Sequence, residues 1–240
     1  MTNYQRLWEI DALRGIAIVM MVSYHIYFDI YFLKIFDVPF FSAWYIGALF
    51  LFLVGVSLTL SYSRVYKKYS FRQLLTKYAK RGVMVFSLGL LITGVTWLII
   101  PQWFIIFGIL HCIGLCIILG FLVIHGKTIN IVLGLTVIMV GLWLYTMARW
   151  GFSWLFWLGF VPNEYQTLDY FPLLPWFGVV LLGIAVGNIL YAQGKRQFLL
   201  PDWSSFPLFR FLGTLGKHSL LIYLIHQPII LAIIFASFKL

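Results

Sequence analysis

Charged residues are scarce in this chain of 240 residues, of which 10% are charged while 62% are apolar. A soluble domain does not bury so large an apolar fraction, so an aqueous fold is excluded. Acidic residues are rarest, with 7 against 17 basic ones and a net charge of +10. Apolar stretches recur along the whole chain and leave no segment for a second, soluble domain. The sequence predicts one membrane domain over residues 1–240.

Cysteine is also rare, with Cys112 and Cys116 the only two. They lie one helical turn apart inside an apolar stretch, where cysteine usually packs as a small hydrophobic residue. We therefore expect neither a disulfide nor a metal site.

Seven stretches are long and apolar enough to cross a bilayer, which takes about 20 residues. We predict an all-α, polytopic membrane helix bundle with spans at about 12–33, 42–61, 82–100, 103–124, 129–147, 171–191 and 218–237. The segment 152–161 is too short to cross, so it is predicted to lie at the interface or to re-enter. Eight crossings are the alternative. The first span carries Arg14 and Asp29 and has no small-residue cleavage site, so we expect it to be retained.

The distribution of Lys and Arg predicts a cytoplasmic N-terminus in a multi-pass protein of a cell membrane, because basic residues stay on the cytoplasmic side. In that orientation the outer segments hold only three of the 17 basic residues, Lys34, Arg149 and Lys239. The inner stretch from Arg64 to Arg81 is strongly basic. Either it is a topogenic loop that also contacts anionic lipid, or it binds a polyanionic cytosolic ligand such as coenzyme A. A nucleic acid is not expected for a loop against a membrane.

Ionisable residues inside membrane spans are costly and usually mark a pathway or a site. His25 and Asp29 share a face of the first span, so Asp29 is predicted to orient the imidazole. His111 lies in the fourth span at a similar predicted depth, about 12–13 Å, which predicts a shared chamber with His25. His226 lies near the membrane midplane, before a Gln-Pro pair that loosens the helix. These four residues are the candidate catalytic groups.

Arg14 and one outer segment each have a structural and a functional interpretation. Arg14, near the start of the first span, either contacts lipid phosphates or binds an anionic cytosolic ligand. The outer segment before the sixth span combines Trp and Tyr with Glu164 and Asp169. It is either an aromatic belt or part of an acceptor site.

The chain resembles the integral-membrane acyltransferases related to heparan-α-glucosaminide N-acetyltransferase, including their small prokaryotic members. The resemblance runs from Glu9 to Pro228 and rests on EIDALRGIAIVMMVSYHIYFD, FLFLVGVSLTLSYSR, FGILHCIGLC, DYFPLLPWFGVVLLG and LGKHSLLIYLIHQP. It implies transfer of an acetyl or other acyl group from cytosolic acyl-CoA to an acceptor on the opposite face. In the lysosomal enzyme that acceptor is the amino group of a terminal glucosamine. The present chain lacks the large lumenal domain of that enzyme, and His25 aligns with an asparagine.

The expected partners are acyl-CoA, a sugar or another amine or hydroxyl acceptor, and membrane lipid, with a homo-oligomer also compatible. Acetyl-CoA or another acyl-CoA is the expected donor, without a metal. Its phosphates are expected to contact Arg14, Arg64, Lys67, Lys68, Arg81 and Lys217. The acceptor is expected to contact Glu164, Asp169 and Trp176.

The catalytic role of His25 is argued from this sequence. Acyl transfer needs a base that removes the proton of the nucleophile, and imidazole titrates near neutral pH. Asp29 would fix its tautomer, and His111 would be a second base or donate to the thioester oxygen. An acyl-histidine intermediate is the alternative to direct transfer.

Two other functions compete with acyl transfer. A proton-coupled transporter would use the buried His and Asp residues as a relay. No repeat relates the two halves of the sequence, which disfavours that alternative. A lipid or partner-binding scaffold would leave the histidines unexplained.

Overall fold

The computed structural model describes residues 7–146, 153–161 and 166–238. The described residues form eight α-helices, which are α1 Trp8–Phe32, α2 Trp44–Val65, α3 Phe71–Ile99, α4 Ile109–Leu122, α5 Thr128–Thr146, α6 Leu173–Leu190, α7 Pro207–Lys217 and α8 Ser219–Phe238. Six of these, all except α4 and α7, are long and apolar enough to cross a membrane by length and composition. The predicted all-α, polytopic membrane architecture is confirmed. The cytoplasmic position of the N-terminus stays a prediction.

The third predicted span began too late. Helix α3 begins at Phe71, because Ser70 and Gln73 form a capping box at its start. The Gln73 side chain accepts the Ser70 N–H at 2.9 Å, while the Ser70 hydroxyl accepts the Gln73 N–H at 3.4 Å. This exchange satisfies N–H groups that a helix start leaves unpaired. Part of the predicted basic loop is therefore the first turns of α3.

The fourth predicted span, 103–124, was too long. Helix α4 has 14 residues and is shorter than a complete span needs. The residues from Pro101 to Phe107 form turns and irregular backbone before it. The predicted short segment contains a 3-10 helix at Ser153–Leu158, and its interfacial position stays a prediction.

One compact unit consists of residues 1–50 and 200–240, and it contains α1, α7 and α8. Its apolar core includes Ile18, Met21 and Ile46, each less than a tenth exposed. Helix α7 was not predicted, because 11 residues with mixed apolar and polar character fall below any spanning window. It packs against α1 at two glycines. A Cβ added at Gly15 would clash with the Leu212 carbonyl, and one at Gly216 would clash with that of Asp11.

The other compact unit consists of residues 51–199 and contains most of α2 together with α3, α4, α5 and α6. Glycine pairs bring its helices close together. A Cβ on Gly82 of α3 would lie 2.6 Å from the Gly114 carbonyl of α4, and one on Gly178 of α6 would lie 2.5 Å from the Gly134 carbonyl of α5. Small residues at helix crossings are typical of membrane bundles, because backbones then pack directly. The interpretation of residues 1–240 as a single domain stays a prediction.

Replacing Gly216 by alanine is expected to destabilise the contact between α1 and α7, because the new methyl group would overlap the Asp11 backbone. Gly213→Ala is the matched control in the same helix, since a Cβ there meets no atom within 4 Å. We expect Gly216→Ala to cost about 1–3 kcal/mol and Gly213→Ala to be neutral or slightly stabilising. Thermal unfolding in detergent measures both, and equal melting temperatures would contradict the close packing.

Candidate active site

His25 lies on α1, and its ring is half-buried. Its Nδ1 is 2.8 Å from the Met21 carbonyl oxygen. A carbonyl only accepts, so Nδ1 carries the hydrogen and donates it. The neutral ring then keeps an unprotonated Nε2, which is the atom that a general base needs.

His226 on α8 has the same arrangement and is 8% exposed. Its Nδ1 donates to the Tyr223 carbonyl at 2.7 Å. The His25 and His226 ring centroids are 4.7 Å apart, with the planes at 78°. The catalytic roles of both residues stay predictions, and the structure adds that their rings lie next to each other.

Asp29 does not hold the His25 ring as predicted. Its carboxylate, 4% exposed, instead accepts from Gln227 Nε2, at 2.8 Å to one oxygen and 2.9 Å to the other. The reason is geometric, since helical side chains point toward the N-terminus of their helix. The His25 ring therefore lies over the turn of Met21, away from Asp29, and the Asp29 carboxylate is bound by the Gln227 amide of α8.

Two of the predicted phosphate-binding residues come together at the start of α1. Arg14 donates from Nη1 to Asp11 at 3.1 Å, and its side chain is 24% exposed. Gly216 packs on this turn, with the Arg14 Cβ 3.1 Å from where its own Cβ would be. The next residue, Lys217, is exposed and ends α7. Both cations thus lie at the same end of the helix that carries His25.

His111 uses both ring nitrogens within its own compact unit. The Gly108 N–H donates to Nδ1 at 3.2 Å, so in the neutral ring Nε2 carries the hydrogen. Nε2 is 3.5 Å from the Thr93 hydroxyl oxygen. The ring is 1% exposed and packs on Gly89, where a Cβ would lie 2.9 Å from its atoms. These contacts make His111 a cap of α4, and its predicted role as a second base or as a donor to the thioester oxygen stays a prediction.

Asp169 lies in a segment distant in sequence and also caps the start of α4. Its carboxylate accepts the Ile109 N–H at 2.9 Å. Gly108 leaves room for it, because a Cβ there would overlap the carboxylate. The flanking chain is fixed by a hydrogen bond from the Leu168 N–H to the Trp103 carbonyl at 3.0 Å. Burial raises the pKa of Asp169 to about 6, and the bond from Ile109 opposes part of that rise.

The remaining predicted site residues are more dispersed. Arg64 lies in the last turn of α2, Lys67 and Lys68 are exposed in the turn that follows, and Arg81 is exposed on α3. The Lys67 ammonium lies 5.7 Å from the centre of the Tyr66 ring. These four cations belong to the unit of residues 51–199.

On the predicted acceptor side, Trp176 is half-buried, and its ring centroid is 4.7 Å from that of Phe171. Glu164 lies outside the described residues. The predicted chamber shared by His25 and His111 stays a prediction. Within the described part of the chain, no three His, Cys, Asp or Glu side chains could together hold a metal ion.

Gln227 is the site residue that sequence reasoning missed. The sequence marks its neighbours His226 and Pro228 as unusual within an apolar helix, but it does not show which polar group on α1 the amide would bind. A glutamine inside a span was itself the available signal, since such amides usually bind across helices.

Asp169 predicts a pH dependence of stability. Because its folded pKa of about 6 exceeds the unfolded value of about 3.9, the folded state binds the proton more tightly. The resulting stabilisation is complete below about pH 4 and is lost as the pH rises through about 6. Asp169→Asn keeps an acceptor for Ile109 and removes the titration. As the pH rises from about 4 through about 6, the free energy of unfolding of the wild type is expected to fall by up to about 2–3 kcal/mol relative to this variant.

Melting temperatures of both proteins between pH 4 and 7.5 provide the test. Asp169→Ala should be less stable than Asp169→Asn at every pH, since it leaves the Ile109 N–H unpaired. A constant difference between the wild type and Asp169→Asn would show that burial does not shift this carboxyl.

The family described as heparan-alpha-glucosaminide N-acetyltransferase, catalytic, matches residues 6–228 of the chain. No curated protein and no solved structure gives a match. The matched range contains every candidate catalytic residue and every predicted coenzyme-binding residue, and it confirms the resemblance found in the sequence. This chain belongs to the family of the catalytic domain of heparan-α-glucosaminide N-acetyltransferase.

Proposed function

We propose that the protein moves an acetyl group from cytosolic acetyl-CoA to an amine or hydroxyl group of a sugar-type acceptor on the opposite face of the membrane. The family supports an acetyltransferase-type enzyme in general, and the six long apolar helices support a multi-pass membrane protein. The observation that carries the proposal is the pair of His25 and His226, because each ring keeps one nitrogen available for proton transfer.

His25 is the general base of this reaction. Its Nε2 takes the proton from the acceptor amine or hydroxyl as that atom bonds to the acetyl carbon. The carbon–sulfur bond of acetyl-CoA breaks, and the CoA thiolate then takes the proton from His25. The Nδ1–H bond to Met21 holds the ring in the required tautomer, the task that a carboxylate performs in a serine-hydrolase triad. His226 lies against the ring and is placed to assist the proton transfer.

The donor site follows from Arg14 and Lys217. Arg14 and His25 lie on one helix, about 16 Å apart along its axis. The extended pantetheine arm of CoA can bridge such a distance, with phosphates at the cations and the thioester at the histidines. Arg64, Lys67, Lys68 and Arg81, in the unit of residues 51–199, are called the second basic surface, which is an alternative site for the CoA phosphates or a contact for anionic lipid.

The proposed acceptor-binding residues are supported by fewer contacts than the donor site. Asp169 and Trp176 lie in and next to the segment that closes the start of α4. The role of His111 as a second base or as a donor to the thioester oxygen rests on the sequence, since its Nε2 faces the Thr93 hydroxyl within its own unit. Glu164 remains a proposed acceptor residue on the strength of the sequence alone.

Replacing His25 by alanine is expected to lower the turnover of acetyl-CoA by roughly 10²-fold or more, because the proton of the nucleophile then has no acceptor. The affinity for acetyl-CoA should persist. His218→Ala, at the exposed junction of α7 and α8, is the matched control and should retain turnover. Release of free CoA thiol with glucosamine as acceptor measures the rate, and full activity of His25→Ala would exclude His25 as the base.

Radiolabelled acetyl-CoA distinguishes direct transfer from an acyl-histidine intermediate. Incubation with radiolabelled acetyl-CoA without acceptor leaves label on the protein only if an acyl-histidine forms. Direct transfer leaves the protein unlabelled.

Reversing the charge of Lys217 is expected to weaken acetyl-CoA binding about tenfold, since a charge-assisted phosphate contact contributes roughly 1.5–3 kcal/mol. Lys34→Glu is the matched control, because it reverses one charge just beyond the other end of α1. Calorimetric titration in detergent at two salt concentrations measures both. A loss of affinity in Lys67→Glu with none in Lys217→Glu would move the phosphates to the second basic surface.

A further inference from the structure

Two consecutive residues of α8 each leave a polar atom without a partner. His226 Nε2 and Gln227 Oε1 are buried and make no hydrogen bond to any residue that the structure describes. An unpaired polar atom inside a protein costs free energy unless a ligand or water completes it. In an apolar helix of a membrane protein, two such atoms on consecutive residues indicate a binding site.

The orientation of the Gln227 amide is fixed from its other end. Its Nε2 donates to both Asp29 oxygens, at 2.8 and 2.9 Å. Because the nitrogen and oxygen of an amide are bonded to the same carbon, the Oε1 then points away from the carboxylate. Asp29 is 4% exposed, so this pairing is also what satisfies its buried charge.

The available atoms of this cluster are all hydrogen-bond acceptors. They are Gln227 Oε1 and the His226 Nε2, which the Nδ1–H bond to Tyr223 leaves unprotonated. An acceptor-only site binds N–H and O–H groups and repels phosphate and thioester oxygens. Such a site suits the amine or hydroxyl of the nucleophile and does not suit the phosphates or the thioester oxygen of acetyl-CoA.

We propose that Gln227 positions the acceptor substrate: its Nε2 holds Asp29, and its Oε1, with His226 Nε2, binds an amine or hydroxyl of that substrate beside the His25 ring. This inference rests on the proposed acetyl transfer and adds to it the residue that holds the nucleophile. The short distance between the two imidazoles places a group bound at His226 next to the base.

The test uses the full-length protein in detergent, with glucosamine as the probe for the acceptor site and acetyl-CoA as the reference ligand. Gln227→Leu removes both amide atoms while keeping the size of the side chain. It is expected to weaken glucosamine binding about tenfold and to leave the acetyl-CoA affinity unchanged. Gln197→Leu is the matched control, because Gln197 is exposed and its amide donates to the backbone carbonyls of Ala192 and Lys195.

A second variant separates positioning from mere helix pairing. In the double variant Asp29→Asn/Gln227→Glu, the amide and the carboxylate exchange places, so the cross-helix hydrogen bond is kept and position 227 still offers an acceptor oxygen. Glucosamine affinity is expected to return to within about threefold of the wild type, or about 0.7 kcal/mol. A wild-type melting temperature without recovery of glucosamine binding would overturn the proposal.

The two failures are distinguishable. Equal glucosamine affinities of the wild type and Gln227→Leu, or no glucosamine binding by the wild type, would refute the role of Gln227. Failure of the proposed acetyl transfer instead shows as absent acetyl-CoA binding, and glucosamine binding that depends on Gln227 would still support the site.

Discussion

The hydrogen bonds from Gln227 to Asp29 constrain the compact unit that contains α1, α7 and α8. A carboxylate buried on an apolar helix is costly unless it is paired, so α8 must bring a donor to it. Successive residues of a helix are rotated by about 100°, so fixing Gln227 on Asp29 also fixes the direction of His226. Because His25 lies one turn before Asp29 on α1, the two imidazoles meet. The proposed proton-transfer site is thus a consequence of satisfying one buried charge.

The same requirement explains how α4 ends within apolar surroundings. Helix ends leave N–H and carbonyl groups without partners, and a membrane offers no water to satisfy them. At its start, Asp169 and His111 contact the Ile109 and Gly108 N–H groups. After its end, the Asn130 and Asn188 amides donate to carbonyls of residues 123, 124 and 126, at 2.7–3.0 Å. A helix of 14 residues is stable there because side chains from other segments complete both ends.

Hydropathy was sufficient to predict most of the fold. The six long helices follow directly from the apolar runs, because a helix that crosses the bilayer needs about 20 apolar residues. The errors have local causes. The start of α3 depended on the Ser70–Gln73 capping box, whose polar residues lie within the basic stretch. Helix α7 depends on glycines that pack on α1, and a hydropathy window does not detect that contact.

The sequence predicted which residues form the candidate site but not which of them contact one another. His25, Asp29 and His226 stand out because a bilayer disfavours them, and the structure brings all three into one unit. Which of them touch depended on side-chain direction and on the rotation of α8, and neither follows from spacing along one helix. The sequence therefore assigned Asp29 to His25, whereas the helix geometry assigns it to Gln227.

The position of each histidine within its helix decides its chemistry. Inside a helix the backbone offers carbonyl oxygens to a nearby ring, so Nδ1 of His25 and of His226 must donate, and Nε2 becomes the free base. At the start of a helix the backbone offers unpaired N–H groups, so Nδ1 of His111 accepts and Nε2 carries the hydrogen. Helices α1 and α8 therefore supply the proton acceptors that base-catalysed acyl transfer needs for its nucleophile. In α4 the hydrogen on His111 Nε2 has a local use, because it faces the Thr93 hydroxyl.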